Sequence, residues 1–403
     1  MLDKKKKRQV IILMTILFFV GVSATDIYVP SLPQMVKDFN TVPSNVNLTI
    51  SSFSMSIAFF VLFAGEISNR FGRRRVLITG VTIFGVAAFL MSIINNLWLM
   101  ILLRSIQAIG AAVILIVPRL ILNDSMNEQE QIRANGMLLT GLILSPAISP
   151  VVGAHLAEWF GWRSTFLFTA LMALIIVIWA YSILPETIQE PIKKFKAPMV
   201  YIRAYGRLMT NRVFLALTLI YACGVAAYFS FIGVSSYLYI NRWHVLAVNY
   251  AYIFLGLSVA YMLGNQVMQR LNKRNYPPVK IIGIGVYSTF IGMVVILFSY
   301  LIWHGHHEIL VISVSCGVLF MRAANALINP PTQIKIMNYF YPNSAQALGL
   351  NMCFGFGFSS LATYLVTLFP DFPFASLVVL SFIYIIICVL VYVGNRHLLG
   401  NNQ

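Results

Sequence analysis

Carboxylates are scarce in this chain. Only 12 of its 403 residues are Asp or Glu, and charged residues of both signs make 10% of the whole, against about 25% in ordinary soluble domains. Too little charge is present to cover a water-facing surface, which excludes a soluble globular protein. The four cysteines, Cys223, Cys316, Cys353 and Cys388, each lie in an apolar run with neither CxxC nor metal-ligand spacing. They read as buried packing thiols, and neither a disulfide framework nor a zinc site is indicated. No GxxxxGK(S/T) loop and no nucleophile–base pattern occurs, so ATP-driven pumping and catalysis are set aside. We expect no enzyme activity, no cofactor and no metal.

What the chain has is apolar length. Hydrophobic residues make 59% of it, and segments of roughly 20 residues, each long enough to cross about 30 Å of hydrocarbon as a helix, can be laid out twelve times. They fall near 9–31, 45–68, 75–96, 98–121, 135–158, 163–184, 213–237, 249–270, 279–302, 309–332, 345–368 and 374–394. The fold class expected is therefore an all-α integral membrane protein. A net charge of +16 would suggest nucleic acid in a soluble protein, but here the cations sit in short loops. Of 28 Lys and Arg, 22 fall on one side of the layout, three (Lys37, Arg163, Arg242) on the other, and Arg104, Arg119 and Arg322 within spans. The positive-inside rule puts both termini in the cytoplasm, with the lipid bilayer as partner and no nucleic acid. Lys4 to Arg8, the apolar run from Val10 and the small residues Val22-Ser23-Ala24 resemble a cleavable leader. The run continues to Leu32, however, and we expect it to be retained as the first span.

The longest connection is basic and divides the spans six and six, giving expected units 1–187 and 213–403 with a linker at 188–212. Its Lys193-Lys194-Phe195-Lys196 either lies on anionic lipid or is a solvated tether. The halves look weakly repeated: spans four and ten carry Arg104 and Arg322 and end near Pro118 and Pro330-Pro331. Two like units place a substrate site near the midplane. Nothing requires more than a monomer.

Asp26, in Asp26-Ile27-Tyr28-Val29-Pro30-Ser31-Leu32-Pro33, is the only acid firmly within a span. After residue 190 only Glu308 and Asp371 remain, both in expected outer loops. An acid in hydrocarbon titrates, pairs with a cation or binds a ligand. Arg104 lies about 9 Å from the outer boundary and Asp26 about 10 Å, at 1.5 Å per residue. Matching depth makes Arg104 the expected electrostatic partner of Asp26. Hydrogen bonding of Arg104 to carbonyls, fixing helix packing, stands beside that reading.

Several strings then point one way. Gly65-Glu66-Ile67-Ser68-Asn69-Arg70-Phe71-Gly72-Arg73-Arg74-Arg75 resembles the G-x-x-x-D-R-x-G-R-R/K signature between helices two and three of the major facilitator superfamily, with Asn69 at the acid position. Arg104-Ser105-Ile106-Gln107-Ala108-Ile109-Gly110-Ala111-Ala112 is similar to its fourth-helix motif. Pro146 through Pro150 to Gly153-Ala154 resembles the fifth-helix antiporter motif, and Leu184-Pro185-Glu186-Thr187 matches a landmark after helix six. Asp26-x-Tyr28-x-Pro30-x-Leu32-Pro33, with Arg119 through Asp124, narrows the resemblance to Bcr/CflA-type drug:proton antiporters.

The resemblance implies a twelve-helix fold in a bacterial inner membrane that exchanges small, mostly apolar or amphipathic compounds for protons. It implies Asp26 as proton carrier and Arg104 as its modulator. It also implies a cytoplasmic latch at Gly65, Asn69, Arg70, Gly72 and Arg73, with Glu66, Arg119 and Asp124 nearby, and a span-five element (Pro146, Pro150, Gly153) that limits proton leak. Tyr28, Gln107, Tyr228, Phe229 and Arg322 are candidate cavity residues. For the aromatics packing is the alternative, and Arg322 either meets an anionic substrate or pairs with carbonyls. Import by proton symport, or a non-transporting receptor, are the other functions the sequence leaves open. His155 is an interfacial side chain or a titrating group. His304, His306 and His307 with Glu308 invite a metal reading that no converging ligand supports.

Overall fold

The apolar segments form helices in a computed structural model that describes residues 4–126, 128–188, 198–303, 306–340 and 344–400. Among the described residues there is no β-strand. The first expected span becomes α1 (Lys4–Asp26), a 3-10 turn (Val29–Ser31) and α2 (Leu32–Asp38). Proline sets the break: Pro30 has no N–H to donate to the carbonyl four residues back, at Asp26, and its ring crowds that carbonyl. The helix therefore stops at Asp26 and re-forms with Pro33 in the first turn of α2, where no donor is needed.

The chain continues through α3 (Pro43–Phe71), α4 (Arg73–Ile93), α5 (Leu97–Ser125), α6 (Glu128–Phe160) and α7 (Arg163–Ile183). After these come α8 (Pro198–Met209), α9 (Arg212–Ser236), α10 (Ala247–Lys273) and α11 (Pro278–Ile302), then α12 (His307–Tyr339), α13 (Ser344–Leu365) and α14 (Pro373–Gly400). Among the described residues, eleven helical stretches are long and apolar enough to cross a membrane, so the chain is a multi-pass membrane protein. The remaining long helix, α13, has 22 residues. Asn351, three glycines and the hydroxyls of Ser359, Ser360 and Thr363 dilute its apolar character.

Helices outrun the spans expected from hydropathy. α5 passes Pro118 to Ser125, and α12 passes Pro330 and Pro331 to Tyr339 instead of ending there. Hydropathy registers only the hydrocarbon-facing part, and prolines are tolerated inside such helices because neighbouring groups satisfy the freed carbonyls. The linker also contains structure: in α8, Leu208 is buried with Tyr205 packed against the same cluster, while Arg203 and Arg207 are exposed. Lys193, Lys194 and Lys196 lie outside the described residues. Cys223 and Cys388 are buried, but Cys316 is exposed and Cys353 half-buried, so two of the four thiols are not core packing.

Contacts divide the chain into two compact units. One holds residues 1–40 and 52–197, the other 41–51 and 198–403, so the first turns of α3 belong with the second unit. Within the first unit α4 packs on α5 and α7, and α1 on α6. Close approach is built from glycine: a Cβ on Gly110 would meet the Gly80 carbonyl and Phe84, which brings α5 and α4 backbone to backbone. Within the second, α9 packs on α13 and α14, and α12 on α10 and α11, around Phe214, Leu217, Ile220, Val286, Ile328 and Leu350.

Candidate functional site

Asp26 is the last residue of α1 and is half-buried. Arg104, on α5, is completely buried and spreads its guanidinium over the backbone and side chains that flank Asp26. Nη1 donates to the Ala24 carbonyl at 3.1 Å and to Gln107 Oε1 at 2.6 Å, while Nη2 donates to Thr25 Oγ1 at 3.3 Å and to the Tyr28 hydroxyl at 3.2 Å. The cation also lies over the rings of Tyr28 and Phe53, 4.8 and 4.2 Å from their centroids. A buried guanidinium is costly unless its five donors find acceptors, and the end of α1 supplies them on both sides of Asp26. The carbonyl-binding reading of Arg104 is thus realised at Ala24, at the same place where the cation surrounds the acid's segment.

Two features shape this place further. Gln107 is buried, its Oε1 is taken by Arg104, and among the described residues its Nε2 has no partner, leaving an amide donor for something else to meet. Gly153 of α6 lies directly against the Ile27 carbonyl, where any Cβ would collide. Pro146 and Pro150 precede it within the same helix. Proline and glycine together let α6 reach the turn that follows Asp26. Tyr28 is held on its far side by Phe166, centroids 5.1 Å apart.

At the opposite end of the unit the loop between α3 and α4 is tied to two other segments. Gly72 takes φ +94°, the left-handed region that glycine adopts without penalty, and turns the chain into α4. Arg73 Nε donates to Asp124 Oδ2 at 3.0 Å and Nη1 to Ser68 Oγ at 2.6 Å. The backbone N–H of Arg73 donates to Glu186 Oε1 at 2.8 Å, placing a carboxylate on the positive end of α4. Thr187 Oγ1 adds a bond to Asp124 at 3.2 Å. Gly65 and Asn69 are half-buried in α3, and Arg70 is exposed with its guanidinium 5.2 Å from the Phe71 ring. Glu66 has no hydrogen-bond or ion-pair partner among the described residues. Arg119 lies 5.5 Å from the Phe18 ring. Asp124 and Glu186, not Glu66, are the acids that hold Arg73.

The second unit has its own polar strip. Arg322 of α12 is clamped between Tyr228 and Tyr261, 4.1 and 4.7 Å from their centroids, with Phe229 edge-on to Tyr228 at 5.7 Å. Among the described residues Arg322 bonds no carbonyl, so that reading gives way to ring stacking. Asn325, Asn329 and Thr332 follow on the same helical face at spacings of three, four and three. Among the described residues the side-chain oxygens of all three are buried without a partner. Asn325 faces Gly224 of α9, the glycine leaving room for its amide.

Sequence reasoning passed over this strip, over Glu186 as a cap, and over Asn47. Asn47 is fully buried, donates Nδ2 to the carbonyls of Gly233 (2.7 Å) and Thr363 (3.2 Å), and accepts from the Tyr237 hydroxyl at 3.1 Å. For Asn47 and for Asn325 and Asn329 of the strip, an amide inside an apolar segment was the available signal.

His155 lies 3.7 Å from Glu158 and stacks on Trp159, centroids 5.4 Å apart. His304 lies outside the described residues, and among those described no group of three metal-ligating side chains converges.

Comparison with known proteins agrees with this architecture. The chain is 24% identical over 233 residues to a bicyclomycin resistance protein homologue of Haemophilus influenzae, covering 57% of this chain and 58% of that protein. It is 26% identical to a chloramphenicol resistance protein of Pseudomonas aeruginosa (64% and 61% covered) and 29% identical to multidrug resistance protein D of Escherichia coli (45% and 47%). The matched stretch thus spans about half to three fifths of these relatives. Among solved structures, a bacterial homologue of the human lysosomal transporter Spinster superposes with TM-score 0.78 over 98% of both chains at 14% identity. A nucleoside transporter gives 0.73 over 97% of this chain and 99% of that one, at 15%. At such identities these structures show the fold alone. The family model described as Major Facilitator Superfamily matches residues 11–363, and the chain belongs to that superfamily.

Proposed function

We propose that this protein is a proton-coupled exporter that carries small, mostly apolar or amphipathic compounds across a bacterial inner membrane by alternating access. In this reading it has twelve spans, cytoplasmic termini and a monomeric working form, and it draws on the proton gradient without a cofactor. The observation that carries the proposal is the grip of buried Arg104 on Ala24, Thr25 and Tyr28 around Asp26, the only acid firmly within a span. The names of the relatives, resistance proteins toward bicyclomycin and chloramphenicol, support the substrate class.

The mechanism follows from charge in a medium of low dielectric. A cation close to Asp26 favours the carboxylate, and removal of water favours the neutral acid. Any movement that changes Arg104's hold on the end of α1 therefore changes the proton affinity of Asp26. In the first unit Gln107 Nε2 and the aromatic face of Tyr28 offer a substrate one donor and apolar surface, the usual make-up of a small-molecule site; in the second, Tyr228 and Phe229 offer aromatic faces of their own. Arg73 with Asp124 and Glu186 acts as the cytoplasmic latch, and the Gly153 contact holds α6 against the proton-bearing turn.

The test is transport in proteoliposomes with an imposed pH gradient and a compound panel that includes chloramphenicol. Export by antiport predicts substrate flux opposite in direction to the protons. Flux in the same direction as the protons overturns it in favour of symport.

A further inference from the structure

Three helix ends of the second unit enclose a cavity of about 900 Å³ that the transport reading does not use. It lies between the first turn of α11 and the last turns of α12 and α14, and its basic side chains are Lys280, Lys335, Arg396 and His397. Tyr392 of α14 donates to the Val279 carbonyl at 3.3 Å and so ties α14 to the start of α11. Ile334, also on the wall, is largely exposed and gives the cavity an apolar flank.

Among the described residues these basic side chains form no ion pair. Past residue 190 the chain contains two acids, Glu308 and Asp371. Glu308 is in the first turn of α12, so Lys335 lies roughly 40 Å further along the helix, and Asp371 precedes α14 by about 35 Å from Arg396, at 1.5 Å per residue. Among the described residues none of these four side chains meets a carboxylate. The C-terminal ends of α12 and α14 each supply about half a negative charge, and the N-terminus of α11 adds about half a positive one, so with three permanent cations roughly two and a half positive charges remain. A Lys in the first turn of a helix is itself unfavourably placed unless an anion sits beside it.

We propose that this cavity is the headgroup site of an anionic phospholipid. Basic recesses between membrane-helix ends bind such headgroups, and the apolar flank at Ile334 suits the glycerol and upper acyl region, which a free phosphate lacks. The proposal rests on the transport reading only in taking these helix ends as the cytoplasmic surface; the binding itself is independent of what is transported.

The experiment is thermal unfolding of the purified full chain in neutral detergent, titrated with phosphatidylglycerol, phosphatidylcholine or inorganic phosphate. It is run on the wild type, on a Lys280→Gln/Lys335→Gln/Arg396→Gln variant, and on a Lys280→Arg/Lys335→Arg/Arg396→Lys variant that keeps the charge. The expected result is a rise in Tm with phosphatidylglycerol alone, retained by the charge-keeping variant, and an apparent affinity lower by roughly tenfold or more in the glutamine variant. Equal stabilisation of the glutamine variant overturns the proposal, and an equal shift with inorganic phosphate overturns the lipid assignment in favour of a free-anion site. If the glutamine variant does not fold, native mass spectrometry of the wild type decides: failure to retain phosphatidylglycerol over phosphatidylcholine overturns it. Because no step measures flux, failure here leaves the transport direction untouched, and the reverse holds too.

Discussion

Arg104 shows how much of the site depends on one side chain's geometry and not on its charge. Its fork reaches a carbonyl, an amide, a hydroxyl and a phenol at once, with two rings against its faces. A single ammonium cannot occupy all those directions. We therefore expect Arg104→Lys to insert and fold normally, by size-exclusion profile, yet to lower pH-driven flux about tenfold or more because the Asp26 segment is no longer held in register. Asp26 and Arg104 were legible from the sequence because charge in an apolar run is conspicuous. The uncharged partners Thr25 and Phe53 were not, since Ser, Thr and Phe occur throughout such helices. The acids that meet Arg73 come from elsewhere in the unit, Asp124 on its side chain and Glu186 on its backbone N–H.

Among the elements, α6 is the one whose sequence most directly fixes another's position. Gly153 abuts the Ile27 carbonyl, whereas Gly136, near the start of the same helix, has nothing within 4 Å of where a Cβ would stand. Gly153→Ala should push α6 off the turn after Asp26, lowering Tm and abolishing most flux. Gly136→Ala should be neutral or slightly stabilising, by up to about 1 kcal/mol, from helix propensity. Thermal unfolding of the two variants side by side checks the contrast. Helix positions were legible from hydropathy, but their ends were not. α5, α6 and α12 run beyond the hydrocarbon-length stretch, and α13 is diluted by Asn351 and its glycines, because a helix is held by neighbours as well as by lipid. The cap that Glu186 places on α4 joins residues more than a hundred positions apart, which no local pattern reveals.

At the scale of the molecule the distribution of charge is the strongest organising signal: 22 of 28 Lys and Arg on one side of the span layout, and in the second half only Glu308 and Asp371 as acids, both outside the spans expected from sequence. It predicts that Asn272→Cys, in the last turn of α10, reacts with a membrane-impermeant maleimide only from the cytoplasmic side, and His306→Cys only from outside. Both are read in a Cys316→Ser background, since Cys316 is exposed. Superfamily membership was legible through motifs in the first half. The second half carries no comparable string, and its polar strip from Arg322 to Thr332 emerges only when the helix is wound and its unpartnered oxygens fall on one face. The central claim is that Asp26 carries the proton, and its most direct measurement is Asp26→Asn in proteoliposomes, comparing substrate exchange at equal pH with flux driven by a pH jump. The account predicts that exchange persists while pH-driven flux disappears. Undiminished pH-driven flux in Asp26→Asn would contradict it.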